Sequence, residues 1–157
     1  MVASELLRAA LMLLHALAAA AWFGSIFYGV FVLYSRVSRH FDTIAERERL
    51  LMALSHGARW HMIAAMSLVG LSGFGLFLMP KNDVTNPCLT LAGIKAALML
   101  ASAILFWRVS WHWWPARLFA LEAELPAIHR RFRLAAGCML VLVGLSFALA
   151  VLAASFD

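Results

Sequence analysis

The stretch Leu13–Tyr34 reads "LLHALAAAAWFGSIFYGVFVLY". It has no acidic or basic residue across its length, and a single histidine, His15, lies near its start. An apolar run this long crosses a bilayer as a helix, which takes roughly 20 residues. Three more stretches qualify. The spans are expected at about 6–34, 59–79, 89–109 and 134–156. Of the 157 residues, 64% are hydrophobic and 13% charged, against about 25% charged in a soluble domain. The expected fold is all-α: one integral-membrane four-helix bundle over residues 1–157, up-down-up-down because the connections are short. The first run is too long, and too little charged at its flanks, for a cleaved signal peptide, and is read as retained.

The net charge of +5 is distributed unevenly. Arg36, Arg39, Arg47, Arg49 and Arg59 fall in or beside the first connection. Arg108, Arg117, Arg130, Arg131 and Arg133 fall in or beside the third. The second connection, Pro80–Cys88, has only Lys81. This is the positive-inside pattern. It places both basic connections in the cytoplasm and both termini on the outer side, the periplasm if the host is Gram-negative. The expected location is a bacterial inner membrane, with several passes. The basic patches suit anionic lipid headgroups, and no nucleic-acid partner is expected. Cys88 and Cys138 fall at different depths, so no internal disulfide is expected. No C-x-x-C-H occurs, which excludes covalent haem attachment through that motif.

Smaller features refine the bundle. Glu46–Arg49 read as a helical extension running into the second span. Leu118, Phe119, Leu121 and Leu125, between Pro115 and Pro126, read as lying in the interface plane. Gly93, Ala97 and Ala101 form a small-residue stripe suited to close helix packing, with Gly70, Gly73, Gly137 and Gly144 as further close-approach points. Trp107, Trp111, Trp113 and Trp114 read as an interfacial aromatic belt.

The histidines carry the candidate chemistry. Ala18, Ala19 and Trp22 follow His15 on the same helix face. His15 therefore projects above a floor of small residues that would admit a flat tetrapyrrole. Arg8 lies on that face toward the outer surface, where a haem propionate would point. The structural alternative is that His15 hydrogen-bonds a neighbouring helix as a neutral polar group. A polar group within a membrane is a functional candidate by default. "RWHMIAAM" repeats the spacing, with His61 followed by Ala64 and Ala65. Its partner for an inner bis-histidine haem would be His112, with Arg59 and Arg108 near the propionates and His56 as a rival to His61. His40 and His129 read as solvated. Lys95 is the lysine within a spanning segment, near the depth of His15. It either snorkels or pairs with an acidic group of a ligand. Met12, His15 and Met79 are the corresponding candidates for copper.

These residues resemble a known group. "LHALAAAAWFGSIFYGVFVLYSR" is similar to the first helix of the copper-resistance D (CopD) family and, more distantly, of the HemJ-type protoporphyrinogen oxidases. "ERERLLMALSHGARWHMIAAMSLVGLSGFGLFL", "LAGIKAALMLASAILFWR" and "RRFRLAAGCMLVLVGLSFALAVLAA" resemble their second, third and fourth helices. The resemblance implies a four-helix membrane unit. In the HemJ-type branch it implies a haem-b protein with a functional helix-one histidine and helix-three lysine, here His15 and Lys95. Helix four lacks that branch's Asn-Glu-x-Pro element, and the histidine near the end of helix three is displaced in "FWRVSWHWW". The copper-resistance branch matches helix four better.

The leading expectation is therefore a protein binding haem b through His15, Lys95, His61, His112 and Arg8. It would act in electron transfer or haem-linked redox chemistry, with a quinone or periplasmic electron carrier as partner. The other two readings are a copper-handling membrane protein and a cofactor-free subunit of a larger membrane complex or homo-oligomer. No residue is assigned a catalytic role.

Overall fold

The computed structural model describes residues 2–41, 43–55, 57–79, 86–121 and 123–154. Its helices are α1 (Val2–Phe27), α2 (Tyr34–His40), α3 (Ile44–Ser55), α4 (Ala58–Leu78), α5 (Asn86–Arg108), α6 (Trp114–Leu118) and α7 (Leu125–Ala154). Two wide π-turns, Tyr28–Leu33 and Val109–Trp113, join α1 to α2 and α5 to α6. Four continuous stretches are long and apolar enough to cross a membrane: Ala3–Val37, Ala58–Leu78, Leu89–Leu118 and Leu125–Leu152. The chain is thus a multi-pass helical membrane protein, and its apolar helices belong in a lipid bilayer.

The third and fourth stretches reach about nine residues beyond the expected bounds, and both extensions follow from backbone chemistry. The third runs past Arg108 because a π-turn absorbs Pro115. Proline has no N–H to donate and its ring crowds the preceding turn. The helix widens just ahead of it, and the Trp114 N–H bonds the Val109 carbonyl five residues back. The fourth span begins nine residues before the expected Leu134. Pro126 suits the opening turn of a helix, and the arginines after it stand on exposed faces while Leu125, Phe132 and Ala135 are buried.

The first connection also has a local cause. Thr43 caps α3: its hydroxyl accepts from the Glu46 N–H at 3.3 Å and donates to the Glu46 carboxylate at 2.8 Å. Glu46–Arg49 are helical as expected, but α3 does not run on into α4. Gly57 adopts φ 81°, a left-handed conformation that costs glycine little, and there the chain turns.

Packing pairs α1 with α4 and α5 with α7; α1 and α7 bring the two pairs together. The core lies where they meet, with Ala18, Trp22 and Ile26 of α1, Met66 and Val69 of α4, Phe106 of α5, and Met139 and Val143 of α7. Two glycines allow close approach. A Cβ on Gly70 would lie 3.1 Å from Met99 Cε, and one on Gly73 would lie 3.1 Å from His15 Cε1. The expected packing stripe on the third span does not serve this purpose, since Gly93, Ala97 and Ala101 are all exposed. Lipid is as apolar as leucine, so small residues direct packing only where another helix approaches. Of the four residues expected at the interface, Leu118, Phe119 and Leu121 are exposed, whereas Leu125 turns inward.

Trp22 is 3% exposed, and among the described residues its buried Nε1 has no hydrogen-bond partner. Its contribution is therefore packing. Trp22→Ala should destabilise the protein by about 3 kcal/mol, the cavity term for the lost side-chain volume. Trp22→Phe should cost clearly less, because no hydrogen bond is lost. Unfolding in detergent, followed by helical circular dichroism, reads both.

Candidate functional site

His15 sits halfway along α1, turned onto α4. Its Nδ1 lies 3.1 Å from the Val69 carbonyl and 3.0 Å from Ser72 Oγ. The proton's place follows from its neighbours. A carbonyl can only accept, and the Ser72 hydroxyl donates to carbonyls of its own helix, Leu68 or Val69. Nδ1 is therefore the protonated nitrogen and donates to both. In a neutral imidazole the other nitrogen, Nε2, keeps its lone pair. The ring's hydrogen bonds to α4 run through Nδ1. The missing side chain of Gly73 provides the space in which the ring lies. One ring nitrogen is thus held by a backbone carbonyl, a contact that fixes the tautomer.

The same contacts also realise the structural alternative, a histidine bonded to a neighbouring helix. Ala18 and Ala19 lie within or against the core, so their smallness serves the α1–α4 contact. Lys95 of α5 is half-buried. Arg8 is half-buried on α1, two turns before His15.

The expected inner pair is arranged differently. Arg59 lies over the Trp111 ring, 4.9 Å from its centroid, so the start of α4 adjoins the second π-turn. This places His61 and His112 at one end of the bundle. Both side chains are exposed, and His61 Nδ1 donates to the Gly57 carbonyl at 3.1 Å. Trp107 and Trp111 stack at 4.2 Å, and Trp113 and Trp114 meet Phe132 edge-on. Met12 is exposed. Cys138 is an exposed free thiol. His56, Lys81 and the Cys88 side chain lie outside the described residues.

A second polar centre escaped the sequence reading. Glu48 of α3 is buried and accepts from Arg117 of α6 through both carboxylate oxygens, and from His129 Nε2 at 2.7 Å. The Arg117 guanidinium also lies 5.3 Å from the Trp114 ring and 5.4 Å from that of Phe132. Nothing in the local sequence marks these residues, because Glu48 is 69 positions from Arg117 and 81 from His129. The one available signal is a helical phase that turns Glu48 inward beside Leu51. His129, read as solvated, is half-buried here.

No family model, curated protein or solved structure matches this chain.

Burial alone would raise the Glu48 carboxyl. The hydrogen bonds and charge of Arg117, and then of His129, outweigh it and hold Glu48 below its usual range. A depressed carboxylate stabilises the folded state in full above its unfolded value and loses that contribution as pH falls through the folded one. Stability should therefore drop below the ordinary carboxylate range, and Glu48→Gln should flatten that acid limb of the pH profile. Arg117→Met leaves Glu48 buried without its main partner and should cost about 3–5 kcal/mol, read by unfolding at neutral pH.

Proposed function

We propose that this chain is a b-type haem-binding membrane protein acting in electron transfer, with His15 as an axial ligand. The observation that supports this best is the His15 imidazole itself, whose Nδ1–H is committed to Val69 and Ser72 while Nε2 keeps its lone pair. The donor chemistry fits. A single imidazole would suffice as the protein's ligand to a haem. Bound haem supplies one-electron redox chemistry.

The protein's own residues do the rest. The Val69 carbonyl and Ser72 fix the tautomer and orient the ring. Gly73 leaves the ring its space. Lys95 and Arg8 provide positive charge for propionates toward the outer side. His61 and His112, at the other end, are candidate ligands of a second haem. The resemblance to the copper-resistance D and HemJ-type groups supports the same reading through His15 and Lys95. The arginine asymmetry supports an orientation with both termini outside and the connections around Glu48 in the cytoplasm, in a bacterial inner membrane. The electron partner would be a quinone or a periplasmic carrier.

The full chain, expressed with ample haem and purified, should show a Soret band and a haemochrome spectrum of haem b. His15→Ala should remove one haem equivalent while the protein still inserts. Ser72→Ala should weaken retention by about tenfold, the lower range for loss of a supporting hydrogen bond at a ligand. Absence of any Soret band from the wild-type protein in its native membrane complex overturns the proposal. A phosphatase reporter at the C-terminus should be active in the periplasm, and activity of a cytoplasmic reporter there would reverse the orientation.

A further inference from the structure

A cavity of about 270 Å³ opens between the first π-turn, α2, α3 and α7. Its walls include Tyr34, Ser35, Arg47, His129 and Arg133. It lies about 28 Å along the first span from His15, by the helical rise over nineteen residues. It is thus separate from the haem site proposed above and does not depend on it.

The charge of the cavity is unbalanced. Glu48, next to Arg47 in α3, is engaged by Arg117 and His129, which leaves the guanidinium groups of Arg47 and Arg133 as surplus cations. Arg47 donates through Nη2 to the Phe41 carbonyl at 2.8 Å. Its Nε is buried and has no hydrogen-bond partner among the described residues. A buried charged donor without an acceptor calls for one, and a phosphate oxygen is the natural complement of a guanidinium.

A second, shallow and open groove, almost wholly apolar, runs along one face of α7. Arg133 belongs to both, and beyond it the groove is lined by Leu134, Gly137, Cys138, Val141 and Leu142. It extends about 13 Å along the helix, into the apolar span. Gly137 leaves it open, since a Cβ there would meet nothing within 4 Å. A polar, cationic pocket and an apolar groove meet at one arginine near the start of a membrane span. Their ligand must be anionic at one end and aliphatic at the other.

We propose that this composite is a binding site for one anionic phospholipid, with its phosphate held between Arg47 and Arg133 and one acyl chain lying in the α7 groove.

Native mass spectrometry of the full chain, with phosphatidylglycerol or phosphatidylcholine of identical chains, tests this. Phosphatidylglycerol should be retained in preference. Arg133→Gln should weaken its retention by about fivefold, the share expected of one basic residue near anionic lipid. Gly137→Phe fills the groove without an internal clash and should also release the lipid, with helix content unchanged by circular dichroism. Equal retention of the two lipids overturns the proposal. So does retention indifferent to Arg133→Gln and to Arg47→Gln, since binding then lies elsewhere. Soluble glycerol phosphate serves as the competitor. If it displaces the lipid fully at comparable concentration and Gly137→Phe has no effect, the cavity is a site for a free phosphate and the lipid assignment fails.

Discussion

A backbone in hydrocarbon has no water to bond, so its polar groups within the spans need partners from the protein itself, and most buried polar side chains there, the Trp22 indole excepted, follow suit. That constraint accounts for most of the local detail in this chain. Ser25, Ser72 and Ser102 return their hydroxyls to carbonyls of their own helices. The two π-turns keep their hydrogen bonds by reaching five residues back, as the Tyr34 N–H does to the Gly29 carbonyl. The second π-turn allows a proline within a continuous apolar stretch without breaking it. His15 obeys the same constraint across helices. Its bond to the Val69 carbonyl joins α1 to α4, so the candidate ligand also belongs to the main helix–helix contact.

At the Arg117 end, the constraint is met by pairing. A buried carboxylate is costly unless charge and hydrogen bonds compensate it. Glu48 receives both from Arg117 and His129. The three residues come from α3, α6 and α7, so a single carboxylate ties the short helices of two connections to a membrane span. The aromatic faces of Trp114 and Phe132 flank the same guanidinium. The pairing consumes one arginine and leaves Arg47 and Arg133 beside a cavity, and the surplus positive charge of that end takes a definite location.

The four helices were legible because twenty-residue apolar runs have few other physical solutions. Their ends were less so. Charge at Arg130, Arg131 and Arg133 hid the early start of α7, because an exposed helical face tolerates charge that a windowed reading treats as a boundary. Gly93, Ala97 and Ala101 looked like a packing stripe because small residues carry no label for which face meets a helix. His15 and Lys95 were found because an ionisable side chain in an apolar run stands out. Glu48, Arg117 and His129 were missed because each sits among other charges, where nothing local distinguishes a buried pair from a solvated one. Their partnership exists only after the chain has folded.

The surroundings of His15 bear on what it would bind. In the proposed site Lys95 supplies positive charge on the side of the imidazole. A bare copper cation at Nε2 would add charge beside charge, in a medium whose low dielectric strengthens the repulsion. A haem carries its iron in a dianionic ring and adds two carboxylates, so the same lysine attracts it. Copper handling also favours several soft ligands acting together, whereas Met12, the nearest thioether along α1, is turned out of the bundle. On the haem proposal, therefore, Lys95 serves the ligand, where a copper cation would meet its repulsion.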